Sequence, residues 1–509
     1  MQEKEKNQLF YNVSHIIREQ KALLYSVIVA VIVTYGYEIS NWTLTIDEEI
    51  WSYSTKNNFA RGWIGDGRWG IALLKTILPT HKVIPFFNSL CAVIVLGISA
   101  FLIGYIFQKY ISSKAASIIA ALVFVTIPIH SYYLMFDTFA VEVSIGLVLA
   151  ILSGYYCVDG CMEKRKKRVF VSIGSLLLSL SIYQSFFQIF ASVVCSILLL
   201  NIVKEIKTGN EDKTGKEYFM IILQSIGVLI MAALGYVIIN CILQSYFGRS
   251  SYVDGYFRWS YVDYKTCIEQ AQTYLKWLFL NPSTLFQGGS ILKMCYIIYS
   301  IELILLLIKK KGKRLIIILL FIGLNLSICI EYVIFAGAIP LRTMQSIAVY
   351  CSLTFFLLYA VCHKVMIKRI IVVGACLVAL YQSSTVVEMF YSENIRQEQD
   401  NALLNRVISE IEDLQLGEEP PFPIVITGFH NWNGKYSVKT EQFSLSMFDT
   451  KQAFRAYKWM SVKGYNYINP TEEQQTRAEE IAKDMPVWPY EGSVAVHEEM
   501  IIVNFGVEE

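Results

Sequence analysis

Long apolar blocks recur along the first 390 residues, and they constrain the fold of this chain more than any other feature. Lipid leaves backbone groups without water, so a membrane-spanning segment must be a helix of roughly 17–25 mostly apolar residues. Eleven blocks fit a helix that crosses a membrane in full or in part. The predicted spans are residues 22–38, 83–107, 115–129, 139–158, 169–184, 186–203, 219–243, 291–308, 315–330, 345–362 and 370–388.

The composition agrees with a membrane protein and excludes several other classes. Hydrophobic residues make up 54% of the chain and charged residues only 17%, against about 25% in soluble domains. A formal net charge of +2 over 509 residues gives no basic field for binding nucleic acid. The 11 Cys residues form no CxxC pair, so neither a disulfide framework nor a zinc site is predicted.

The distribution of Lys and Arg predicts the orientation. If the N-terminus is cytoplasmic, the short inside segments carry 23 of the 44 basic residues and the outside loops carry 10. The runs EKRKKR (163–168) and KKKGKR (309–314) then lie inside, as the positive-inside rule requires. With eleven spans, the C-terminal region lies outside the membrane. The first helix is interpreted as an uncleaved signal anchor.

The polar residues lie in three regions predicted to face the outside. Residues 1–390 are predicted to form a transmembrane domain of about eleven helices, with long outside loops at 39–82 and 244–290. Residues 391–509 change sharply in composition and are predicted to form a small extracytoplasmic α/β domain. Its expected elements are an amphipathic helix at 393–414, a strand in 421–428, helices in 448–461 and 470–485, and a strand pair in 493–505.

The first outside loop contains the residues best suited to chemistry. Asp47 and Glu48, followed by Glu49, come about ten residues after the first span. Asp66 and Arg68 lie in the turn GDGRWG, where glycine lets the backbone approach a ligand. The neighbouring aromatic residues are Trp51, Trp63 and Trp69. Carboxylates, an arginine and aromatic faces together suit a sugar-binding pocket, although Trp residues also form interfacial belts.

Other candidate residues flank later spans. Asp137 lies at the mouth of the fourth span, where it is either functional or a carboxylate favoured by the helix dipole. Glu331 and Arg342 flank YVIFAGAIPL. Arginine at the membrane boundary can hold a phosphate through forked hydrogen bonds, or it can simply extend toward water. Glu142, Glu302 and Glu388 are further acidic residues in apolar surroundings.

These motifs resemble a known class of membrane enzyme. A cytoplasmic N-terminus, an acidic pair after helix 1 and about eleven spans resemble the GT-C class of glycosyltransferases. More narrowly, NWTLTIDEEIW, the following GRWG and the ending EGSVAVHEEMIIVNF look like the Gtr-type bacterial glucosyltransferases, the GtrII-like group. The resemblance extends over nearly the whole chain.

The resemblance implies a function as well as a fold. It implies a sugar donor on a polyprenyl-phosphate lipid, typically undecaprenyl-phosphate glucose, and an acceptor on a surface polysaccharide of the O-antigen, teichoic acid or capsule type. The family's acidic pair corresponds to Asp47 and Glu48, the second-loop acid of the class to Asp137, and the phosphate ligand to Arg342. The implied location is the bacterial cytoplasmic (inner) membrane. No cofactor is predicted, and a divalent metal is possible at the paired carboxylates but not predicted.

The chemistry of the residues fits this reaction. A carboxylate can take the proton of the acceptor hydroxyl, and Arg68 or Arg342 can stabilise the leaving phosphate. The predicted substrate-binding residues are Asp66, Arg68, Trp69, Trp51, Arg342 and Glu331. The alternatives are a transporter or flippase of lipid-linked sugars, with Glu142, Glu302 and Glu388 as a proton relay, a glycan polymerase or ligase, and a non-catalytic scaffold.

Overall fold

The structure is a computed structural model, and it describes ten ranges of the chain. These are residues 15–51, 56–80, 82–84, 86–252, 254–417, 421–430, 438, 443–448, 454–465 and 467–506. The chain forms two compact units. The first comprises Met1–Ile39 and Lys56–Val387, and the second comprises Ser40–Thr55 and Glu388–Glu509. The segment 40–55 of the first outside loop therefore belongs with the C-terminal residues.

Helices dominate the described residues, and they are numbered here in chain order. They are α1 (Lys21–Ser40), α2 (Glu48–Trp51), α3 (Lys56–Gly65), α4 (Trp69–Ile77), α5 (Phe87–Tyr110), α6 (Lys114–Thr126), α7 (Ser131–Leu134), α8 (Ala140–Met162), α9 (Lys166–Ile182), α10 (Phe187–Thr208), α11 (Gly215–Phe247), α12 (Tyr264–Leu280), α13 (Gly289–Lys309), α14 (Arg314–Phe335), α15 (Ser346–Val361), α16 (Val365–Glu412), α17 (Phe454–Val462) and α18 (Glu472–Ile481).

Eight helices of the described chain are long and apolar enough to cross a membrane, or nine if the bent pair Lys114–Thr126 and Pro128–Leu134 is one span. Each of the eleven predicted segments lies on a helix, but the predicted count of eleven spans is not confirmed. The 16 residues of α15 would extend only about 24 Å, less than the roughly 30 Å of the hydrocarbon core. α9 begins with three basic residues and has 17 in all.

Close helix packing in the first unit depends on small residues. Gly146 and Gly154 of α8 face bulky side chains, since a Cβ at these positions would lie 2.4 Å from Phe186 and 2.8 Å from Val193. Ser153 of α8 donates a hydrogen bond of 2.9 Å to the carbonyl of Ser172 in α9, and Ser172 donates one of 2.8 Å in return. Small residues at such contacts are typical of packed membrane helices.

The last predicted span and the amphipathic helix expected at 393–414 are one continuous element. Helix α16 comprises 48 residues, Val365–Glu412. No glycine or proline separates the apolar part from the amphipathic part, so nothing in the sequence ends the helix between them. The prediction of a separate helix in the tail was therefore wrong about where that helix begins.

A three-stranded sheet lies in the second unit. Strands β1 (Ile424–Thr427), β2 (Val494–His497) and β3 (Met500–Asn504) have the order β1-β3-β2, with β1 parallel to β3 and β2 antiparallel to it. Side chains alternate between the two faces of a strand. Accordingly, one face packs against residues of α16 and α17, and the other packs against residues of α18. The predicted strand in 421–428 and the predicted terminal hairpin are both present.

A buried charge network fastens the first-loop segment to α16 within the second unit. Arg396 pairs with Glu393 and, at 3.1 Å, with Asp400. The same guanidinium donates to the carbonyl of Leu44 at 2.8 Å, and the Asp400 carboxylate accepts the backbone N–H of Met447 at 3.0 Å. Arg396, Glu393 and Asp400 are each at most 2% exposed. Charges without water need this degree of pairing.

We expect Arg396→Met to destabilise the second unit strongly, because two carboxylates would remain buried without their cation. The expected loss is about 3–5 kcal/mol in the free energy of unfolding. The control is Arg477→Met. Arg477 also pairs with two carboxylates, those of Glu498 and Glu480, but it is 50% exposed, so we expect this substitution to lose far less stability than Arg396→Met. Unfolding of the purified protein in detergent measures both. Equal losses would contradict the structural role assigned to Arg396.

Candidate active site

The turn GDGRWG is held by polar contacts from α11 and from Gln184, which lies just before α10. Gly67 has a φ of 76° and lies so close to Tyr236 that a Cβ would be 2.7 Å from its hydroxyl oxygen, so this position requires glycine. Tyr236 donates a hydrogen bond of 3.0 Å to the carbonyl of Gly67, and Gln184 donates one of 3.2 Å to the carbonyl of Asp66. These contacts fix the backbone on both sides of the turn and thereby position Arg68.

Arg68 lies among aromatic rings. Its guanidinium carbon is 4.9 Å from the ring centre of Tyr183, 5.8 Å from that of Trp63 and 6.0 Å from that of Tyr252. Such cation–π contacts hold a guanidinium without neutralising it. The buried Nε of Arg68 has no hydrogen-bond partner within the described residues. Arg68 thus retains donor capacity for a further acceptor.

Arg342 approaches the same tyrosines from the turn between α14 and α15. It is only 8% exposed. Its Nε donates to the Tyr183 hydroxyl at 3.2 Å, its Nη2 donates to the Tyr252 hydroxyl at 3.1 Å, and its Cζ lies 5.2 Å from the ring centre of Phe136. Two arginines that are 274 residues apart in sequence therefore share two tyrosines.

A small cavity of about 90 Å³ lies against this cluster. Arg68, Tyr183, Tyr252, Tyr256 and Glu331 contribute to its wall, and Arg342 lies behind the two tyrosines that it contacts. The full lining is Arg68, Tyr183, Gln184, Ser185, Tyr252, Tyr256, Glu331, Phe335, Ile339, Pro340 and Thr343.

The charged side chains around this cavity do not all have partners within the described chain. Glu331 accepts a short hydrogen bond from the hydroxyl of Thr343. Within the described chain, the ion pairs of the structure include neither Arg68 nor Arg342, and their neighbours are neutral aromatic rings and hydroxyls. Arg342 is buried and Arg68 is partly buried. Guanidinium groups without carboxylate partners have chemistry that suits an anion such as a phosphate.

Asp137 lies near this cluster in the same unit. It is 3% exposed, and its Oδ1 accepts a hydrogen bond of 2.8 Å from the hydroxyl of Ser89. Asn88 donates to the backbone carbonyl of Asp137 at 3.1 Å. The preceding residue, Phe136, supplies the ring next to Arg342. The N-cap residue of helix α8 is Phe139, two residues after Asp137.

The predicted tryptophan wall is realised only in part. Trp63 is buried and packs edge-to-face on Phe139 with ring centres 5.6 Å apart. Trp69 is partly exposed at the start of α4, and its indole N–H has no hydrogen-bond partner within the described residues. Trp51 ends α2, but its side chain lies outside the part that the structure describes. Trp63 stands beside Arg68 together with Tyr183 and Tyr252.

The acidic run of the first loop belongs to the second unit, where one arginine from the tail binds two of its members. Arg455 of α17 contacts Oδ1 of Asp47 at 2.8 Å and Oε1 of Glu49 at 2.6 Å. Glu48 is fully buried and accepts the backbone N–H of Thr45 at 3.1 Å, a local bond at the start of α2. Asp47 and Glu49 therefore share an arginine, whereas Glu48, the other member of the predicted acidic pair, bonds within its own turn.

The three acids differ in exposure and in environment. The Asp47 side chain is 46% exposed, whereas those of Glu48 and Glu49 are fully buried. Burial raises the pKa of Glu49 above its ordinary value, and the charge of Arg455 opposes this shift only in part. In the described part of the chain, no group of three or more His, Cys, Asp and Glu side chains could hold a metal ion.

Several residues of these clusters were not predicted from the sequence. Tyr183 and Tyr252 look like ordinary interfacial tyrosines in sequence, and Arg455 lies in an amphipathic helix more than 400 residues after its partners. Glu49 was noted only as an extension of the acidic pair. The available signal was the scarcity of charge near the membrane boundary, which singled out Arg68 and Arg342 but did not identify their neutral partners.

The raised pKa of Glu49 predicts a pH dependence of stability. A carboxyl group with a higher pKa in the folded protein contributes fully below its unfolded pKa, and this contribution is lost as the pH rises through the folded pKa. The wild-type protein should therefore lose stability relative to Glu49→Gln as the pH is raised from about 4 to about 7. Thermal melting in detergent at a series of pH values measures this difference.

Glu498→Gln provides a control of opposite sign. The hydrogen bond from Arg477 lowers the pKa of Glu498, so the contribution of Glu498 is present above its unfolded pKa and is lost as the pH falls. The wild-type protein should therefore gain stability relative to Glu498→Gln as the pH rises. If the two variants show the same trend, the environment assigned to Glu49 is wrong.

Comparison with known proteins identifies the family. A family model described as "Glucosyl transferase GtrII" matches residues 36–359. The match includes the acidic run, the GDGRWG turn, Asp137 and Arg342, and it ends before most of the C-terminal unit. No curated protein and no solved structure matches the chain. The matched region covers well over half of the sequence, and the chain therefore belongs to the GtrII glucosyltransferase family.

Proposed function

We propose that this glucosyltransferase moves a single glucose residue from a polyprenyl-phosphate carrier to a surface polysaccharide on the extracytoplasmic face of the bacterial cytoplasmic membrane. The observation that carries the proposal is the convergence of Arg68 and Arg342 on Tyr183 and Tyr252 beside a cavity. The polysaccharide is of the O-antigen, teichoic acid or capsule type.

The arrangement suits a lipid phosphate better than a nucleotide. The chain contains no GxxxxGK[ST] motif that would cradle a nucleotide phosphate. Arg68 precedes α4, and Arg342 lies between α14 and α15. An anion that they bind therefore lies near the ends of these apolar helices. A phosphate carried by a membrane lipid reaches such a place without leaving the bilayer.

The reaction is a displacement at the anomeric carbon. The acceptor hydroxyl oxygen forms a bond to that carbon, the bond from carbon to the phosphate oxygen breaks, and the bonding electron pair leaves with the phosphate. The two guanidinium groups stabilise the charge that the phosphate gains. Because the tyrosines hold the cations without cancelling them, this stabilisation is available when the bond breaks. Glu331, which lines the same cavity, is placed to accept hydrogen bonds from sugar hydroxyls.

The proton of the acceptor hydroxyl goes to a carboxylate. We propose Asp47 as this base, with Glu49 as its neighbour on Arg455 and with Asp137 orienting the acceptor. The partial exposure of the Asp47 side chain supports access to an acceptor. Glu48 is fully buried and bonded to its own turn, so we assign it a role in shaping the loop.

Removing the buried guanidinium should slow transfer severely. We expect Arg342→Gln to lower kcat by about 10²–10³-fold, the usual effect of losing one donor to the developing charge. Arg342→Lys keeps the charge but loses the forked donors, and we expect an intermediate loss. Turnover is measured with purified protein, polyprenyl-phosphate glucose and polysaccharide acceptor.

The matched control is Arg314→Gln. Arg314 is exposed at the first residue of α14, the end of that helix remote in sequence from Arg342. Turnover of Arg314→Gln should stay within about twofold of the wild-type value, as for surface changes in general. If Arg342→Gln melts like the wild type and retains full turnover, the phosphate site is wrongly assigned.

The role of Asp47 is tested by Asp47→Asn. The substitution keeps the shape of the side chain but removes the basic oxygen, so we expect a loss of about 10²–10⁴-fold in kcat. Glu48→Gln serves as the comparison and should change stability more than turnover. Near-normal transfer by Asp47→Asn would exclude Asp47 as the base and direct attention to Asp137.

A further inference from the structure

A second cavity lies between the ends of three helices of the first unit. It has a volume of about 310 Å³, within the usual range of ligand pockets. Its wall comes from the last turns of α10 and α13 and from the end of α15 with His363. It shares no lining residue with the arginine–tyrosine cavity, so it is a separate cavity from the one proposed for the transfer reaction.

Glu302 stands out in this cavity. It lies in the apolar helix α13, is 6% exposed and lines the cavity. Neither of its carboxylate oxygens has a hydrogen-bond partner within the described residues. A carboxyl group at this depth is costly unless a partner compensates it. Since the described residues supply no such partner, a bound cation or hydrogen-bond donor is the natural complement.

Basic side chains line the mouth of the same cavity. Lys207 and Lys309 lie in the last turns of α10 and α13, and His363 follows α15. Lysines at helix C-termini are often explained by the helix dipole alone. Here, however, the basic side chains line one opening, and Glu302 precedes Lys309 by seven residues, about 10 Å deeper along the helix.

We propose that this cavity binds the phosphoethanolamine headgroup of an aminophospholipid. The ligand must carry a positive group for the inner end of the cavity and a negative group for its mouth. A primary ammonium has three N–H donors, and it can form charge-assisted hydrogen bonds to both oxygens of Glu302. The phosphate then lies beside Lys207, Lys309 and His363, and the acyl chains extend into the bilayer.

This chemistry excludes the two other common kinds of phospholipid headgroup. A choline headgroup carries a positive charge but has no N–H to donate, so the Glu302 oxygens would remain without hydrogen bonds. A glycerol headgroup has no cation to complement Glu302. In the orientation predicted from the basic residues, the mouth of the cavity opens on the cytoplasmic side, where lipid headgroups meet Lys207 and Lys309.

The test is native mass spectrometry of the purified full chain released from phosphatidylcholine nanodiscs that contain equal minor amounts of phosphatidylethanolamine and phosphatidylglycerol. We expect the wild-type protein to retain phosphatidylethanolamine in preference to the other two lipids. Glu302→Gln should reduce this preference about tenfold, the effect of losing one hydrogen bond to a charged group. Lys309→Gln should weaken retention without changing the preference for the ethanolamine headgroup.

Glu388→Gln is the matched control, since Glu388 also interrupts an apolar run but is exposed and does not line the cavity. It should leave lipid retention unchanged. Stabilisation of the protein by soluble phosphoethanolamine would show that the headgroup suffices, and stabilisation by the intact lipid alone would show that the chains contribute. Equal retention of phosphatidylglycerol by the wild type, or unchanged preference in Glu302→Gln, would overturn the proposal.

Discussion

Burial of charge is the constraint on which this structure depends. Few residues are charged, and most of those buried in the described chain are paired. Lys75 lies 3.1 Å from Glu142, Lys313 pairs with Glu205, and Arg396 lies between Glu393 and Asp400. Such pairs repay the cost of leaving water only when their geometry is good. Against this background, a buried charge without an opposite charge is informative, and such charges are the basis of both ligand sites that we propose.

Tyrosine is the residue that allows the arginine pair to remain available. A carboxylate beside Arg68 or Arg342 would stabilise the guanidinium but would also cancel its charge toward a phosphate. The ring of Tyr183 contacts one cation while its hydroxyl accepts from the other. Both arginines are therefore fixed in place while their net charge is preserved. Fixed positions matter for catalysis, because the arginines then need no reorganisation as negative charge develops on the phosphate.

The sequence was sufficient for the apolar helices and for the scarce charges near their ends. Long periodic blocks are the most reliable signal in a sequence, and every predicted block lies on a helix. The sequence did not settle the number of spans and did not predict the continuity of α16, because apolar composition does not show where a helix ends. The contacts of Arg455 and of Tyr183 were not predictable either. These contacts join residues that are far apart in sequence, and a periodic pattern within one helix carries no information about them.

The contacts of the acidic run are related to the local backbone geometry. Asp47 has a φ of 80°, in the left-handed region that a non-glycine residue rarely adopts. This turn precedes α2, and Glu48 then bonds back to Thr45 at the start of the helix. Asp47 and Glu49 contact the same guanidinium, whereas Glu48 between them is fully buried. The ion pair between Asp47 and Arg455 and the bond between Glu48 and Thr45 both lie at this turn. In this chain, Asp47 and Glu49 are therefore linked by a shared arginine, although Glu48 lies between them in sequence.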